Sequence, residues 1–573
     1  MYIKEYSRRF HIIFLSFLVF FTFLIGRLFY IQFFHSQYLS SIAKKQQSLY
    51  IELEPQRGVI YDAGMRPLAI NIAAESLYAV PREIKDKEKT IQLLVPILGI
   101  DYNYLKDRVY RNKSFIWLVR KITPSQAEKI KALKVKGLGF IKENRRAYPN
   151  GYLASHVIGF ADIDNRGLAG LEVFYDGYLK GVSGWAFFLR DARQNKLNIS
   201  EHMFPPKDGF DVVLNIDEVI QYIAERELDK AFKDYNAKGA SIIVLDPYTG
   251  KVLAMANRPS FDLNYASLAS VNSRRDRAIC DLFEPGSVFK IVTASAAIQE
   301  KTAEESDKFF CENGSYKVAN HILHDHTSHG WLTFKEVFEQ SSNIGTTKIA
   351  QMLGAHMVYR YAKLFGFGQN TGLDLPGETR GMLKDFRVWS KTSIGAIPIG
   401  QEVGVNTMQL AVATAVIANG GYLMKPYVVQ KIQDKQQKII KEFKPVTVHK
   451  VISTETAERV KIILRGVIES GTGKLAKLDN FTAAGKTGTA QKIEPDGRYS
   501  HRKFVASFVG FAPAEDPAVV IAVIIDEPYP YYFGGVVAAP VFKRVAGEVL
   551  KYLKAKQLGT DKVAMLYETK RAN

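Results

Sequence analysis

A chain of 573 residues with 77 Lys and Arg against 58 Asp and Glu carries a net charge of +19 and is long enough for two or more domains. Apolar residues at 47% and charged residues at 24% are the proportions of a folded protein and exclude a disordered or collagen-like one. The basic residues are scattered, which argues against a nucleic-acid face and leaves attraction to an acidic membrane or cell-wall surface or a merely soluble basic surface, and two cysteines, Cys280 and Cys311, are too few for a disulfide framework.

The first element is apolar. Phe10 to Gly26 is interrupted by Arg27 and resumes with Leu28-Phe29-Tyr30-Ile31, about the 20 residues that a bilayer span needs. Lys4, Arg8 and Arg9 precede it against one acid, Glu5, so the positive-inside rule places the N-terminus in the cytoplasm and the bulk of the chain outside it. Bulky Leu28, Phe29 and Tyr30 stand where a cleavage site has small residues, so residues 1–36 are expected to be a cytoplasmic tip and uncleaved anchor. No second long apolar run follows.

Residues 37–206 mix short strands and helices, with turn chemistry at Pro55-Gln56-Arg57-Gly58 and Ala63-Gly64. This is expected to be an α+β module without catalytic residues. Within Arg57-Gly58-Val59-Ile60-Tyr61-Asp62 we expect a buried Arg57–Asp62 pair fixing a turn. Gly167-Leu168-Ala169-Gly170-Leu171-Glu172 lacks the spacing and preceding strand of a nucleotide loop, and reads as a tight link. The next domain, 207–556, opens at Phe210–Asp217 with a short strand and an amphipathic helix carrying Ile220, Ile223, Ala224, Leu228 and Ala231. Ala240–Leu245 and Val252–Ala256 then read as a hairpin across Asp246-Pro247-Tyr248-Thr249-Gly250.

Phe283-Glu284-Pro285-Gly286-Ser287-Val288-Phe289-Lys290 sets a serine and a lysine three residues apart at the head of an apolar helix reaching Ile298. Residues so spaced share a helix face, so the Lys290 amine is expected over the Ser287 hydroxyl. A lysine whose pKa is lowered by desolvation can take the proton of a nucleophilic serine. Backbone N–H groups at the helix start favour an oxyanion beside Ser287. The plainer alternative is a helix start with a solvated lysine.

His321, His324, His326 and His329 then crowd one segment. Zinc binds such clusters, but the spacing fits no structural zinc pattern, so a solvated loop is expected, with no metal or cofactor. In Glu339-Gln340-Ser341-Ser342-Asn343-Ile344-Gly345, Ser341 suits a proton relay and Asn343 suits holding a substrate amide; standing alone, the segment would be a helix cap. Ser470-Gly471-Thr472-Gly473-Lys474-Leu475 imitates a phosphate loop, but Ile468 occupies the required glycine and Leu475 the required Ser/Thr, so it reads as a helix stop. Ala483-Ala484-Gly485-Lys486-Thr487-Gly488-Thr489-Ala490, flanked by strand-like Phe504–Phe511 and Val519–Ile525, reads as an edge strand lining a cleft. There Lys486 would meet a carboxylate, Thr487 would offer a hydroxyl and Gly488 would admit a substrate backbone. Residues 557–573 form a tail.

Ser-x-x-Lys, Ser-x-Asn about fifty residues on and Lys-Thr-Gly about 140 further is the ordered set of penicillin-binding proteins and class A β-lactamases. With Arg57–Asp62, Arg146-Ala147-Tyr148-Pro149 and Gly170-Leu171-Glu172 ahead of it, the chain resembles a class B penicillin-binding protein over nearly its whole length. Ala396-Ile397-Pro398-Ile399-Gly400-Gln401, Gln409-Leu410 and Asn419-Gly420-Gly421 most resemble the division-specific branch. Two features depart from that family: Asn406-Thr407-Met408 replaces the threonine, then proline or a small hydrophobic residue, usual there, and the four histidines from His321 to His329 crowd a segment where the family usually shows only an aspartate, here Asp325.

The resemblance implies an α/β (α+β) multidomain fold. It would comprise an anchor, an elongated non-catalytic module, and a β-lactamase-like transpeptidase domain whose antiparallel sheet is flanked by helices. It implies cross-linking of peptidoglycan stem peptides at D-Ala-D-Ala through an acyl-enzyme on Ser287, with the backbone N–H groups of Ser287 and Thr489 as oxyanion hole and β-lactams trapping Ser287. No glycosyltransferase region precedes the domain, so a multi-pass glycan polymerase and other division proteins are implied as partners. The rivals are a D,D-carboxypeptidase or β-lactam hydrolase, a catalytically silent division scaffold and a β-lactam sensor.

Overall fold

A computed structural model describes the backbone of residues 2–113, 115–190 and 196–571, and their side chains apart from 2–6, 41, 43–52, 186–202 and 559–571. Helix α1 (Tyr2–Phe34) includes the expected anchor. Its stretch Ser7–Phe34, with no buried residue, is long and apolar enough to cross a membrane. The side chains of Lys4 and Glu5, on which the charge argument partly rests, lie outside the described residues.

The chain divides into two compact units, Met1–Gln56 with Gly181–Asp208, and Arg57–Lys180 with Gly209–Asn573. In the first, Ser48–Leu53, Gly184–Arg190 and Lys196–Phe204 form an antiparallel sheet. In the second, most of the N-terminal module packs with the residues that follow it. The reason is a shared sheet: Asp211–Leu214 pairs in parallel with Ile60–Tyr61 and antiparallel with Val429–Gln433.

Beside that sheet lies a buried ion cluster. Arg57 Nε donates to Glu172 Oε2 at 2.6 Å and Arg57 Nη1 to Asp176 Oδ1 at 2.7 Å. Arg146 Nε donates to Glu172 Oε1 at 2.6 Å and its Nη1 to Gly58 O at 2.7 Å. Arg57 and Glu172 are fully buried. The expected Arg57–Asp62 pair is not made. Arg57 is taken up by acids from the 172–176 segment. Asp62 instead closes its own turn, accepting from Gly64 N and Arg66 N. The glycine-rich link 167–172 thus delivers the acid that Arg57 needs.

The larger domain is built on a five-stranded antiparallel sheet of β1 (Gly239–Leu245), β2 (Val252–Arg258), β3 (Ala484–Ile493), β4 (Tyr499–Ala512) and β5 (Val519–Asp526), in the order β2-β1-β5-β4-β3. Helices α2 (Glu218–Asp234) and α6 (Ala539–Arg571) join one core with Ile242 and Val244. Helices α3 (Lys290–Gln299), α4 (Asn343–Leu353) and α5 (Thr407–Ala418) join the other with Ile243 and Leu245. Alternate β1 residues therefore face different cores, and the strand is buried along its whole length rather than at every second residue. Helix α5 is buried on all sides and too short to cross a membrane. The unusual Asn406 is its cap, accepting from Gln409 N at 2.9 Å while Gln409 Oε1 accepts from Asn406 N at 3.1 Å. The expected tail continues α6 to Arg571; residues 572–573 lie outside the described residues.

Removing Glu172 would leave two buried guanidiniums without their shared acid. Glu172→Ala is expected to cost about 3–5 kcal/mol, read by chemical unfolding, and Glu172→Gln, which keeps part of the hydrogen bonding, to cost less. A loss under about 1 kcal/mol would mean that the cluster is not stabilising.

Candidate active site

Ser287 sits in a 3-10 turn, Gly286–Phe289, that runs directly into α3. Such a turn stacks residue i over i+3, so Ser287 and Lys290 share a side. The turn is braced by glycines. Gly286 has φ +53°, and its N–H donates to Gly400 O at 3.2 Å. A Cβ on Gly400 would lie 2.1 Å from Gly286 O, so only glycine fits there. Glu284 Oε1 accepts from Glu402 N at 2.9 Å and Tyr499 OH at 3.1 Å, tying the same turn to two other segments.

Strand β3, the sheet edge, lies against this turn. A Cβ on Gly488 would fall 2.8 Å from Pro285 O, and one on Gly286 3.1 Å from Thr489 O. Glycine at both positions lets the backbones touch, which brings Lys486, Thr487, Gly488 and Thr489 to the nucleophile turn. Thr487 Oγ1 shares a hydrogen bond of 2.8 Å with Thr472 Oγ1, and Thr489 Oγ1 accepts from Gly534 N at 3.0 Å.

The third segment carries Ser341 just ahead of α4. Lys290 Nζ donates to Ser341 O at 2.6 Å, Asn343 Oδ1 at 2.8 Å and Ser341 Oγ at 3.3 Å. Lys486 Nζ donates to the same Ser341 Oγ at 2.9 Å. The expected contact of Lys290 with Ser287 is therefore not the one its amine makes. Among the described residues the partly exposed Ser287 hydroxyl has no hydrogen-bond partner, because the amine is drawn to three acceptors on the Ser341–Asn343 segment. Ser341 itself has φ +61°, a left-handed conformation that costs a non-glycine residue about 1–2 kcal/mol and that the two lysines hold in place.

Both amines are out of water. Lys290 is fully buried and Lys486 is 1% exposed. Burial pushes the Lys290 pKa down to about 7, with Asp325 and Cys311 pulling the other way. Lys486 is held well below an ordinary lysine, first by burial and then by the charge of Lys290.

Asp325, placed among the four histidines, organises the Ser341 segment. It accepts from Asn343 N at 2.5 Å, Ile344 N at 3.0 Å and Ser342 Oγ at 2.6 Å, the use of an acid at a helix start. Asn343 Nδ2 donates to His324 O at 2.9 Å. His321, His324 and His326 are exposed, and the His326 ring lies tilted at 38° against Phe533 with ring centroids 4.7 Å apart. Among the described residues no group of three or more His, Cys, Asp or Glu is placed to hold a metal ion. Cys280 and Cys311 are both free thiols. Thr472, in the imitation phosphate loop, was the residue least visible beforehand. Asp325 was signalled by the family resemblance, as the aspartate of the histidine-crowded segment, but without a role.

Residues 240–547 match the penicillin binding protein transpeptidase domain family, and residues 52–214 the penicillin-binding protein dimerisation domain family. The chain belongs to the class B penicillin-binding proteins. It is 37% identical to stage V sporulation protein D of Bacillus subtilis, covering 92% of this chain and 83% of that one. It is 31% identical to the peptidoglycan D,D-transpeptidase FtsI of Escherichia coli, covering 92% and 89%. The crystal structure of penicillin-binding protein 3 from Mycobacterium tuberculosis with aztreonam superposes with a TM-score of 0.70 at 29% identity, covering 88% of this chain and 97% of that one. As a class B penicillin-binding protein the chain is a serine-type peptidoglycan D,D-transpeptidase.

A Cβ on Gly488 would also lie 2.3 Å from Ser507 Oγ. Gly488→Ala is therefore expected to part β3 from the nucleophile turn and to slow transpeptidation by about 100-fold. Gly547→Ala, which meets nothing within 4 Å, is the control that should leave turnover unchanged. In Asp325→Asn the shape stays but the charge that raises the Lys290 pKa is gone. Lysine side-chain NMR should then find Lys290 titrating below the native value, and an equal or higher titration would contradict an electrostatic role.

Proposed function

We propose that Ser287 is the nucleophile and Lys290 its base, in a septal transpeptidase held in the cytoplasmic membrane by one span. The observation that carries this reading is the meeting of two water-excluded amines on Ser341 Oγ beside the Ser287 turn. A lysine with a pKa of about 7 is half neutral near that pH, the condition for a general base.

The stem peptide's terminal carboxylate docks on Lys486 and the Thr487 hydroxyl, Gly488 admits its backbone, and Asn343 holds a stem amide. Because burial disfavours charge on Lys486, arrival of the carboxylate draws a proton onto that amine. Ser287 gives its proton to Lys290 and attacks the penultimate D-alanine carbonyl. The oxyanion rests on the backbone N–H groups of Ser287 and Thr489. Collapse breaks the peptide bond, and Lys290 returns the proton through Ser341 to the departing D-alanine amine. An amine of a neighbouring stem then attacks the acyl carbon, forming the cross-link and restoring the Ser287 hydroxyl. β-Lactams imitate the same dipeptide and stop at the ester. Structures of penicillin-binding protein 3 from Mycobacterium tuberculosis with aztreonam and ampicillin support that part of the reading.

The septal role rests on the segments Ala396 to Gln401, Gln409-Leu410 and Asn419 to Gly421, which resemble the division-specific branch. The topology, N-terminus inside and catalytic domain outside, rests on Arg8 and Arg9 ahead of the apolar stretch. A multi-pass glycan polymerase and other division proteins are the partners this reading implies.

Fluorescent penicillin should label the native chain on the peptide containing Ser287 and should not label Ser287→Ala. The labelling rate should climb with pH as Lys290 sheds its proton, with a midpoint of about 7. A profile flat through that point would remove Lys290 as base. Depletion of the protein should give filaments with unclosed septa; cells that divide normally would remove the septal assignment.

A further inference from the structure

A line of aromatic rings joins the two walls of the site. His326 lies against Phe533 with ring centroids 4.7 Å apart, Phe533 against Tyr532 at 4.4 Å, and Tyr532 is stacked on Phe504 of β4 at 4.1 Å. On one side, His326 follows Asp325, which accepts from Asn343 N at 2.5 Å and Ile344 N at 3.0 Å. On the other, Phe533 precedes Gly534, whose N–H donates to Thr489 Oγ1 at 3.0 Å. The line therefore runs from the segment that carries Asn343 to the end of the Lys486–Thr489 row.

Its two sides are not held equally. Phe533 O accepts from Val536 N and Val537 N at 2.9 Å each, which fixes that backbone at the head of the turn Gly534–Val537. Tyr532 and Phe533 are half-buried and packed on each other. The His326 ring is exposed and, among the described residues, no hydrogen bond holds it. Its contact with Phe533 is a tilted ring pair, a small interaction. Turning the His326 side chain away therefore uncovers no core and breaks one weak contact, a motion open to an exposed side chain.

Under the function proposed above, on which this inference rests, the stem carboxylate sits at Lys486 and Thr487 and the reacting carbonyl at the Thr489 N–H. The remainder of the stem then leaves between Thr489 and Asn343, beneath the line of rings. We propose that His326 and Phe533 form a strap across this donor groove, and that His326 determines how large a group the donor carries beyond its amide. In a penicillin the acyl side chain takes the place of that part of the stem. A small group passes under the closed strap, and a bulky one reaches Ser287 only when His326 swings aside. His326 touches neither the carboxylate nor the reacting carbonyl, so its effect is on selection and not on the chemical step.

The test uses the full chain in detergent micelles. Acylation of Ser287 is timed by mass spectrometry with benzylpenicillin and with its 6-formamido analogue, which keeps the amide and lacks the benzyl group. His326→Ala should raise the rate constant for benzylpenicillin at least about threefold and leave that of the analogue nearly unchanged. His326→Trp, with a larger ring, should slow benzylpenicillin by a similar factor, again with little effect on the analogue. Phe533→Ala should act like His326→Ala, and the two together should be no faster than either alone, because the same contact is removed only once. The analogue's rate reports that each variant is folded. Equal changes for both penicillins, an unchanged ratio, a slower benzylpenicillin reaction in His326→Ala, or additive effects would each overturn the strap while Ser287 is still acylated. No acylation of Ser287 in the native chain would overturn the proposed function and the strap with it.

Discussion

Two lysine amines meet on one serine oxygen where water does not reach, and the rest of the site follows from keeping them there. An ordinary lysine titrates at 10.5, and Lys290 is pushed down to about 7. That difference amounts to about 5 kcal/mol against its ammonium form. Lys486, equally buried, is disfavoured further by its neighbour's charge. A pair of this kind cannot hold two protons comfortably, so a proton arriving with substrate or leaving a hydroxyl has a place to go.

The surroundings supply the stiffness this requires. Glycines at 400 and 488 allow backbones to approach more closely than a Cβ permits, and Gly286 takes a left-handed φ of +53°, which together set the nucleophile turn against the sheet edge. Asp325 caps the segment holding Ser341 and partly offsets the desolvation of Lys290. Helix α3 lies inside the core, so the Lys290 side chain cannot swing out to solvent. Far along the chain, Glu172 joins Arg57 and Arg146 by the same logic of paired buried charge. There every charge has its partner, and the result is structural rather than reactive.

Much of this was legible beforehand. The strand pair around Asp246–Gly250, the helix after Ser287 and the edge strand bearing Lys486 follow from local pattern, and the structure places them as read. The partner choices were not legible. Arg57 was expected on Asp62, five residues away, and found its acids 115 and 119 residues on. Lys290 was expected on Ser287 and bonds to Ser341 and Asn343, 51 and 53 residues on. Thr472 sits in a stretch whose local pattern describes only a helix ending.

By itself, the order of residues determined which side chains were available for acyl transfer and which stretches were helix, strand or membrane-length apolar run, because those properties depend on neighbours a few positions away. Only the tertiary structure decided which amine meets which oxygen and which way burial drives each pKa. Hydrogen bonds and desolvation act over a few ångströms of space, and chain separation does not encode that distance.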